Sequence, residues 1–542
     1  MTYRAPIADM RFALEAAADF WRLRERYPDV DEDVLAAILD GAGALAGDVL
    51  APLNRSGDRA GVKLENGVVR AAPGFRDAYE AFRQGGWQGL AADPAYGGQG
   101  LPRALALAVM ETLHSANMSF ALMPMLTLAA IEALEQHGAA DQKALYLEKL
   151  VSGEWSGTMN LTEPQAGSDL GALTTKAAPQ ADGSYAISGQ KIFITWGEHD
   201  LAPNIIHLLL ARIEGAPAGS KGISMFIVPK FRDEDGSRNA VRCIGVEEKM
   251  GIHASPTCTM AYEGAQGWLI GEENRGLAAM FTMMNAARLN VGMEGVAVAE
   301  AAYQKALAYA QERRQGGALI INHPDIRRML TLMRAKIQAG RAICYACAVS
   351  ADAGDKARED LLTPIAKAWC TDLGVEVASL GVQIHGGMGF IEEGGAAQFY
   401  RDARIAPIYE GTNGIQAIDL YGRKLLSDRG EAMRALTAEA EAAAHKAPAP
   451  VSTHLAAAAQ ALENATAYML SAAREDALAG AAPYLQLAGD VTGAMLLAQA
   501  LQRQASPEHE ALLHAYAVLV LPHASAHLAA IKIGAESLLP ST

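Results

Sequence analysis

The sequence has few cysteines and no long uninterrupted apolar run. Five cysteines at irregular positions in 542 residues are too few for a disulfide framework, and their small number is typical of a reducing compartment. No run of about 18 or more apolar residues offers a membrane span. Charged residues interrupt the N-terminal segment, which argues against a secretory signal. We therefore predict a cytoplasmic protein without a membrane span.

Positive charge is also scarce. The 46 Lys and Arg residues are outnumbered by 61 Asp and Glu residues, which gives a net charge of −15. This balance argues against a broad phosphate-binding surface, so nucleic acid is not an expected partner. The C-terminal histidines, including the i,i+4 pair His523 and His527, lack an H-E-x-x-H motif. We therefore expect no metal site.

The apolar pattern changes character twice along the chain, which is too long for one ordinary core. Helical spacing of apolar residues, then short β-rich runs, then helical spacing again predict a mainly α protein with a central β domain. The absence of helices between the strands favours a mostly antiparallel sheet or small barrel. The predicted domains are an N-terminal helical domain (1–155), a middle β domain (156–272), a helical bundle (273–430) and a C-terminal helical extension (431–542).

Two segments of the middle domain have the residue types of a cofactor site. The loop Thr162-Glu-Pro-Gln-Ala-Gly-Ser-Asp169 can turn hydroxyls and backbone N–H groups toward an anion or a heteroaromatic edge. In the strand that follows, the period of two places Phe193 and Thr195 on one face, where they could contact a flat ring. Each segment alone is equally compatible with an ordinary turn or a buried strand.

A carboxylate beside a glycine marks the second helical region. Glu410 and Gly411 directly precede a predicted helix. A base next to a backbone donor is the arrangement needed to abstract a proton adjacent to a carbonyl group. The plain alternative is an acidic residue that favours a helix start. Upstream, the Gly-rich turn Gln383-Ile-His-Gly-Gly-Met-Gly389 could approach a pyrophosphate closely, although it is not a P-loop.

In order and spacing these motifs together resemble the acyl-CoA dehydrogenase family. The likeness runs from about Ala91 to Leu426 and is most specific in the loop at 162–169, in Lys191-Ile-Phe-Ile-Thr-Trp-Gly197, in the turn at 383–389 and in Tyr409-Glu-Gly-Thr-Asn413. The α, β, α order of the stretches is also that of the family fold. The resemblance implies FAD as the cofactor and an acyl-CoA thioester as the substrate.

The resemblance implies a role for each matching residue. Glu410 would be the catalytic base, and the Gly411 N–H would bind the thioester oxygen. Ser168 and Arg288 would contact the substrate, Arg288 through its CoA part. The residues implied to bind FAD are Thr162, Ser168, Phe193, Thr195, Thr412 and Asn413, together with Arg313, Gln383, Gly386 and Gly387 acting from a neighbouring subunit.

The implied reaction is α,β-dehydrogenation to the trans-2-enoyl-CoA, as in fatty acid β-oxidation. Glu410 would take the α-proton while flavin N5 takes the β-hydride, and an electron-transferring flavoprotein would reoxidise the flavin. The extension after Gly430 resembles that of a longer bacterial subgroup, which includes enzymes acting on 3-methylmercaptopropionyl-CoA. Such extra helices can replace a dimer–dimer contact, so a homodimer is expected and a tetramer stays open.

Three other functions stay open at this point. An acyl-CoA oxidase would pass electrons to oxygen. A flavin-containing nucleic-acid-binding relative would need a basic extension, yet residues 431–542 hold five Lys/Arg against ten Asp/Glu. A catalytically silent scaffold is disfavoured by Glu410 beside Gly411. The acyl chain itself is left open among straight, branched, aromatic and sulfur-containing groups.

Overall fold

The computed structural model describes residues 3–232 and 236–538, which form two compact units. One unit contains residues 41–287, and the other combines residues 3–40 with the chain from Arg288 onward. The predicted order of helices, sheet and helices, with a helical C-terminal extension, is confirmed. The short N-terminal segment, however, belongs with the second helical region.

The smaller unit begins with helices around the long, almost fully buried helix α5. A kink at Asn117 interrupts this helix, and the Asn117 side chain accepts a hydrogen bond from the N–H of Phe120 at 3.1 Å. The elements that precede the sheet are α2 (Glu32–Ala44, which enters from the other unit), a π-helical segment (Leu45–Leu50), α3 (Ala51–Ala60), β1 (Lys63–Glu65), β2 (Val68–Arg70), α4 (Phe75–Gln84), α5 (Arg103–His137) and α6 (Ala140–Val151).

The β-rich stretch forms one seven-stranded sheet in the order β3-β6-β4-β5-β9-β7, with β8 paired to β9. A further pairing of β6 with β7 closes five of these strands into a barrel. Most pairings are antiparallel, as predicted, but β6 pairs in parallel with both β3 and β4. The strands are β3 (Trp155–Asn160), β4 (Lys176–Pro179), β5 (Tyr185–Thr195), β6 (Asn204–Ile213), β7 (Ile223–Pro229), β8 (Val241–Val246) and β9 (Thr257–Ile270).

The larger unit is helical apart from one small hairpin. Its elements are α1 (Ile7–Arg11), a π-helical segment (Phe12–Ala17), α7 (Gly276–Glu312, which begins in the other unit), β10 (Arg314–Gln315), β11 (Ala318–Leu319), α8 (Pro324–Ala353), α9 (Lys356–His385), α10 (Gly387–Phe390), α11 (Ala396–Ala403), α12 (Asn413–Asp419), a π-helical segment (Leu420–Leu425), α13 (Glu431–Lys446), α14 (Val451–Ser471), α15 (Arg474–Arg503), α16 (Pro507–Leu519) and α17 (Ala524–Ile531).

Glycines let the backbones of α7 and α9 touch. A Cβ on Gly292 would lie 2.7 Å from the carbonyl oxygen of Ala366, and one on Gly295 would lie 2.1 Å from that of Cys370. From the other side, a Cβ on Gly374 would lie 2.8 Å from the carbonyl oxygen of Gly295. Real Cβ atoms do not come this close, because interiors are already packed at crystal density. Any side chain at these positions would force the two helices apart.

The C-terminal extension shares the core of the larger unit. Gly489 on α15 packs against the ring of Trp369 on α9, so closely that a Cβ would lie 2.2 Å from it. The Trp369 indole N–H donates to Asp490 at 2.9 Å. On α16, the His509 ring stacks on Phe12 at 3.7 Å between centroids. The extension is therefore packed into the helical unit along α9 and the N-terminal segment.

Three helical stretches of the described chain are long and apolar enough to cross a membrane, judged by length and composition alone: Glu32–Ala60, Arg103–His137 and Pro507–Ile531. Polar residues interrupt each of them, so none of the three is an uninterrupted apolar run. The most apolar window of Arg103–His137 is 89% buried inside the protein. Packing within the smaller unit accounts for the apolar character of that helix.

Candidate active site

The turn between α11 and α12 holds Glu410 in a strained backbone conformation. Glu410 has φ 54° and Gly411 has φ 85°, so two successive residues lie in the left-handed region. That region costs a non-glycine residue about 1–2 kcal/mol and persists only where the surroundings enforce it. A Cβ on Gly411 would lie 2.8 Å from Nε2 of Gln416. The turn therefore needs glycine after Glu410 and fixes the direction of the Glu410 side chain.

A backbone donor lies beside this carboxylate. The Thr412 hydroxyl caps α12 by accepting from the N–H of Ile415 at 3.2 Å, and the N–H of Asn413 donates to the Pro407 carbonyl at 3.0 Å. Within the described residues, the N–H of Gly411 donates no internal hydrogen bond. An N–H that is held rigidly next to a base can polarise a carbonyl oxygen of a bound ligand.

Two buried cations face the Glu410 carboxylate. Lys367 on α9 is 0% exposed and Arg288 on α7 is 4% exposed. Desolvation raises the pKa of Glu410 to about 7, and the charges of Arg288 and Lys367 oppose this rise. Burial lowers the pKa of Lys367 to about 8, while the Glu410 charge opposes that change. A carboxyl group with a pKa near 7 is suited to general base catalysis near neutral pH.

Arg288 is buried beside the Glu410–Gly411 turn and is not exposed to solvent. Its guanidinium forms an ion pair with Asp419 at 3.5 Å, and a Cβ on Gly411 would lie 3.7 Å from it. The implied contact of Arg288 with CoA stays a prediction. What the structure shows for Arg288 is a positive charge beside the Glu410–Gly411 turn.

The sequence analysis missed a second carboxyl group at this turn. The Tyr409 hydroxyl donates a hydrogen bond to Glu294, which is 0% exposed on α7. Desolvation, with a contribution from Glu410, raises the pKa of Glu294 to about 8. The sequence marks Glu294 only as a lone charge between Gly292 and Gly295 in an apolar part of the helix, and that pattern does not place it at this turn.

The side chain of Asn413 points into the larger unit. Its Oδ1 accepts from Lys367 Nζ at 3.0 Å, and its Nδ2 donates to Asp372 at 2.7 Å. The side chains of Thr412 and Asn413 thus both form hydrogen bonds within the larger unit. Their implied contact with the flavin nucleotide stays a prediction, and it would use the backbone of these two residues.

In the smaller unit, a buried ion pair anchors the loop at 162–169. Lys191 and Glu163 are 0% and 2% exposed, and they meet at 2.8 Å. Lys191 also donates to the Leu161 carbonyl at 3.0 Å, and Glu163 accepts from the N–H of Thr174 at 2.7 Å and the hydroxyl of Thr175 at 2.6 Å. Although burial acts in the opposite direction, the Lys191 charge and these hydrogen bonds hold the pKa of Glu163 at about 2.

A β-bulge beside this loop presents Phe193 to the surface. The register of β5 against β9 shifts between Lys191 and Ile194, and Phe193 has φ 61° and is 58% exposed. The bulge interrupts the strand period of two, so that period does not explain the placement of Phe193 and Thr195. The N–H of Ile192 donates to the Thr162 carbonyl at 2.9 Å, which joins the bulge to the loop.

These features fit a flat heteroaromatic cofactor. An aromatic ring that is exposed by a strained bulge provides a stacking surface, and functional sites are where such strain is found. Ser168 and Gly167 are exposed in the adjoining loop, and a Cβ on Gly167 would meet no described atom within 4 Å. Thr162 and Thr195 are half-buried.

The residues implied to act from a neighbouring subunit are exposed in the larger unit; they are Arg313, Gln383, Gly386 and Gly387. Gly386 has φ 61°, and a Cβ there would meet no described atom within 4 Å. Open backbone of this kind allows close approach of a ligand. In the described part of the chain, no group of three or more His, Cys, Asp or Glu residues could hold a metal ion.

The fold and these sites are those expected of a flavin-dependent enzyme, and comparison with known proteins identifies its family. Three family profiles match in succession: Acyl-CoA dehydrogenase, N-terminal domain at residues 37–154, middle domain at 158–265 and C-terminal domain at 274–425. A fourth, Acetyl-CoA dehydrogenase C-terminal like, matches residues 431–540.

Relatives and solved structures agree with these profiles. The chain is 47% identical to 3-methylmercaptopropionyl-CoA dehydrogenase of Ruegeria pomeroyi over 93% of this chain and 92% of that protein. It is 36% identical to a butyryl-CoA dehydrogenase of Syntrophomonas wolfei over 81% and 78% of the two chains. The structure of Megasphaera elsdenii butyryl-CoA dehydrogenase aligns with TM-score 0.64 and 28% identity, covering 72% of this chain and 98% of that one.

A longer solved structure shares the fold over nearly the whole chain. Caenorhabditis elegans ACDH-11 aligns with TM-score 0.79 at 19% identity and covers 95% of this chain and 91% of its own. The chain belongs to the acyl-CoA dehydrogenase family. It is an FAD-dependent oxidoreductase that acts on the CH–CH group of acyl-CoA thioesters, with the C-terminal extension of the longer members.

The buried Glu163–Lys191 pair should contribute far more stability than an exposed pair. Replacing Glu163→Gln leaves the Lys191 cation buried without a counter-charge, and we expect the free energy of unfolding to fall by about 3–5 kcal/mol. The matched control Glu263→Gln breaks the exposed pair with Arg242, which solvent screens, and should leave the free energy of unfolding nearly unchanged. Urea denaturation followed by circular dichroism measures both, and equal losses would contradict the assignment.

Proposed function

We propose that the protein oxidises a short acyl-CoA thioester, with Glu410 as the base that takes the α-proton. The observation that carries this proposal is the strained Glu410–Gly411 turn, where desolvation raises the pKa of Glu410 to about 7. An α-proton of a thioester is only weakly acidic. Its removal therefore needs a desolvated base together with a hydrogen-bond donor on the thioester oxygen.

Glu410 and Gly411 each have a role in the proposed reaction. Arg288 and Lys367 favour the charged form of Glu410, so the carboxylate is populated near neutral pH before reaction. The Glu410 carboxylate takes the proton from the α-carbon, and the Gly411 N–H donates to the thioester oxygen as negative charge develops there. FAD, when bound, supplies the redox chemistry by accepting the β-hydrogen as hydride.

The proposed flavin contacts divide between two groups of residues. Phe193 and Thr195 contact the ring, and Thr162 and Ser168 bind from the adjoining loop. In a neighbouring copy of the chain, Arg313 and the turn at 383–387 bind the nucleotide part. The exposure of Arg313, Gln383, Gly386 and Gly387 supports the second group of contacts, because a ligand can reach each of these four residues.

The proposed substrate is 3-methylmercaptopropionyl-CoA. Support comes from the relative of that name, which is 47% identical over 93% of this chain. Straight short chains are the second candidate, because the next relatives are butyryl-CoA dehydrogenases at 36% and 34% identity. Pentanoyl-CoA has the same number of chain atoms as 3-methylmercaptopropionyl-CoA, with a methylene group in place of sulfur. Comparing these two isolates the contribution of the sulfur atom.

An anaerobic absorbance titration of the FAD-loaded protein tests both parts of the proposal. We expect 3-methylmercaptopropionyl-CoA to bleach the flavin at a higher kcat/KM than pentanoyl-CoA or butyryl-CoA. Glu410→Gln should lower the bleaching rate by about 10²–10⁴-fold, because the amide cannot accept the α-proton and a positioned general base contributes about that much. Unchanged FAD absorbance would show that the variant still binds its cofactor.

Two results would count against this reading. Bleaching that survives Glu410→Gln would exclude Glu410 as the base. Faster bleaching by pentanoyl-CoA than by 3-methylmercaptopropionyl-CoA would assign the protein to straight-chain substrates.

The proposed electron acceptor is an electron-transferring flavoprotein. Support comes from membership of the acyl-CoA dehydrogenase family. After anaerobic reduction we expect an added electron-transferring flavoprotein to restore the flavin spectrum at least tenfold faster than air-saturated buffer does. Faster reoxidation by oxygen, with peroxide formed in equal amount, would favour the acyl-CoA oxidase.

The proposed assembly is a homodimer. An exposed apolar cluster follows α9, where Met388, Phe390 and Ile391 are 47%, 84% and 45% exposed, next to the implied FAD contacts Gly386 and Gly387. Large apolar side chains in such a group are typical of an interface. Light scattering should give twice the mass of one chain, and Phe390→Asp should shift it toward the monomer and weaken FAD binding. A monomeric wild type that retains FAD would contradict this assembly.

The proposed setting is acyl-CoA oxidation of the β-oxidation type in the cytoplasm. All five cysteines are free and buried, which suits a reducing compartment.

A further inference from the structure

We propose that Lys367 is a positioning residue for the catalytic base: it holds the turn from Tyr409 to Asn413 in place and supplies the fixed positive charge that keeps Glu410 anionic. This inference rests on the proposed role of Glu410. It concerns a residue that lies on α9, 43 positions before the base in sequence, and that no motif of the sequence singled out.

The backbone contact between α7 and α9 places Lys367. A Cβ on Gly292 would lie 2.7 Å from the carbonyl oxygen of Ala366 and 3.2 Å from the amide nitrogen of Lys367. The backbone of Lys367 therefore lies against α7, and the whole residue is 0% exposed. A fully buried lysine is rare unless it is paired or functional, because burial penalises its charge.

The end of the Lys367 side chain is attached to the turn that carries the base. Nζ donates to Oδ1 of Asn413 at 3.0 Å, and Asn413 is the first residue of α12. The amide of Asn413 donates in turn to Asp372 at 2.7 Å and to the Ala368 carbonyl at 3.1 Å. One lysine therefore connects α9 to the segment in which Glu410 and Gly411 adopt left-handed conformations.

The charge of Lys367 acts on Glu410 and is not neutralised by an ion pair among the described residues. Arg288, the other nearby cation, forms an ion pair with Asp419 at 3.5 Å. Lys367 donates to a neutral amide, and it forms no ion pair within 4.0 Å in the described chain. The titratable and charged groups that face this cluster are Arg288 and Glu294 from α7, Lys367 and Asp372 from α9, Tyr409 and Glu410 from the turn, Asp419 from α12 and Arg423 from the π-helical segment after it.

The sign of the effect follows from this arrangement. A nearby cation favours the carboxylate form of Glu410, and burial favours the neutral form. Removing the Lys367 charge should therefore raise the pKa of Glu410, so that a more alkaline solution is needed to ionise it. A neighbouring opposite charge shifts a carboxyl pKa by about one unit or more. Because the pKa of Glu410 is about 7, a rise of about one unit lowers its ionised fraction at pH 7 from about one half to about one tenth, so the rate should fall about fivefold.

Three substitutions distinguish the effect of the Lys367 charge from the effect of its hydrogen bond and from a general effect on folding. Lys367→Met has nearly the same length but neither charge nor donor, and Lys367→Gln lacks the charge but retains an amide donor for Asn413. The matched control is Lys356→Met, the same exchange on the same helix, at a side chain that is 65% exposed. It lies 11 residues earlier, or roughly 16 Å along the helix axis.

Two measurements are needed for each variant. The first is the pH dependence of the anaerobic flavin-bleaching rate with 3-methylmercaptopropionyl-CoA and, in parallel, pentanoyl-CoA. The second uses no substrate: the carboxyl absorption of Glu410 is titrated by infrared difference spectroscopy of each FAD-loaded variant against the same variant carrying Glu410→Gln. The second measurement remains informative if the wild type oxidises neither thioester, a result that would count against the proposed function alone.

We expect both midpoints to rise by about one pH unit in Lys367→Met and Lys367→Gln, with most of the lost rate recovered in alkaline solution. Lys367→Gln should retain a higher limiting rate than Lys367→Met, because its amide can still hold Asn413. Lys356→Met should match the wild type. Unchanged midpoints in the Lys367 variants, including a rate that falls equally at every pH, would overturn the proposal. If Lys367→Met fails to fold, the midpoint of Lys367→Gln decides.

Discussion

The close contact between the backbones of α7 and α9 is the constraint on which the larger unit depends. Gly292, Gly295 and Gly374 bring the two helices together without intervening side chains. Because Glu294 lies between two of these glycines and Lys367 lies opposite the first, both ionisable groups are excluded from water. The raised pKa of Glu294 and the lowered pKa of Lys367 follow from that exclusion. The chemistry at Glu410 thus depends on glycines that never contact it.

The order of helical and β-rich segments was predictable because the spacing of apolar residues is local information. The loop at 162–169, Phe193 and the Glu410–Gly411 pair could be singled out because their residue types occur together. The functions of Lys367 and Glu294 could not be predicted in this way. Each is one charge in a helical pattern, and only the packing of two distant helices shows that both face the same turn. The β-bulge at Phe193 could not be predicted, because the alternation of side chains along a strand does not reveal where an extra residue is inserted.

Strain marks two of the residues that the sequence had already selected. Glu410 and Phe193 are among eight non-glycine residues with positive φ in the described chain. Both are predicted to contact substrate or cofactor. The Glu410 carbonyl accepts from the Gln416 amide at 3.3 Å, and next to Phe193 the N–H of Ile192 donates to the Thr162 carbonyl. Local propensity would favour another residue at each position. Sites that perform chemistry are where such conflicts between local preference and tertiary structure are expected.

The seating of the C-terminal extension on α9 has a consequence for how the protein opens. Gln486 on α15 donates to Asp372 at 2.7 Å, and Asp372 accepts from Asn413 beside the catalytic turn. The extension and the turn are thus neighbours in one hydrogen-bonded chain. Local unfolding proceeds in contiguous cooperative segments, and this hydrogen-bonded chain couples α15 to the turn. Unfolding of α15 would remove one hydrogen-bond partner of Asp372 and so loosen the support of the turn that carries Glu410.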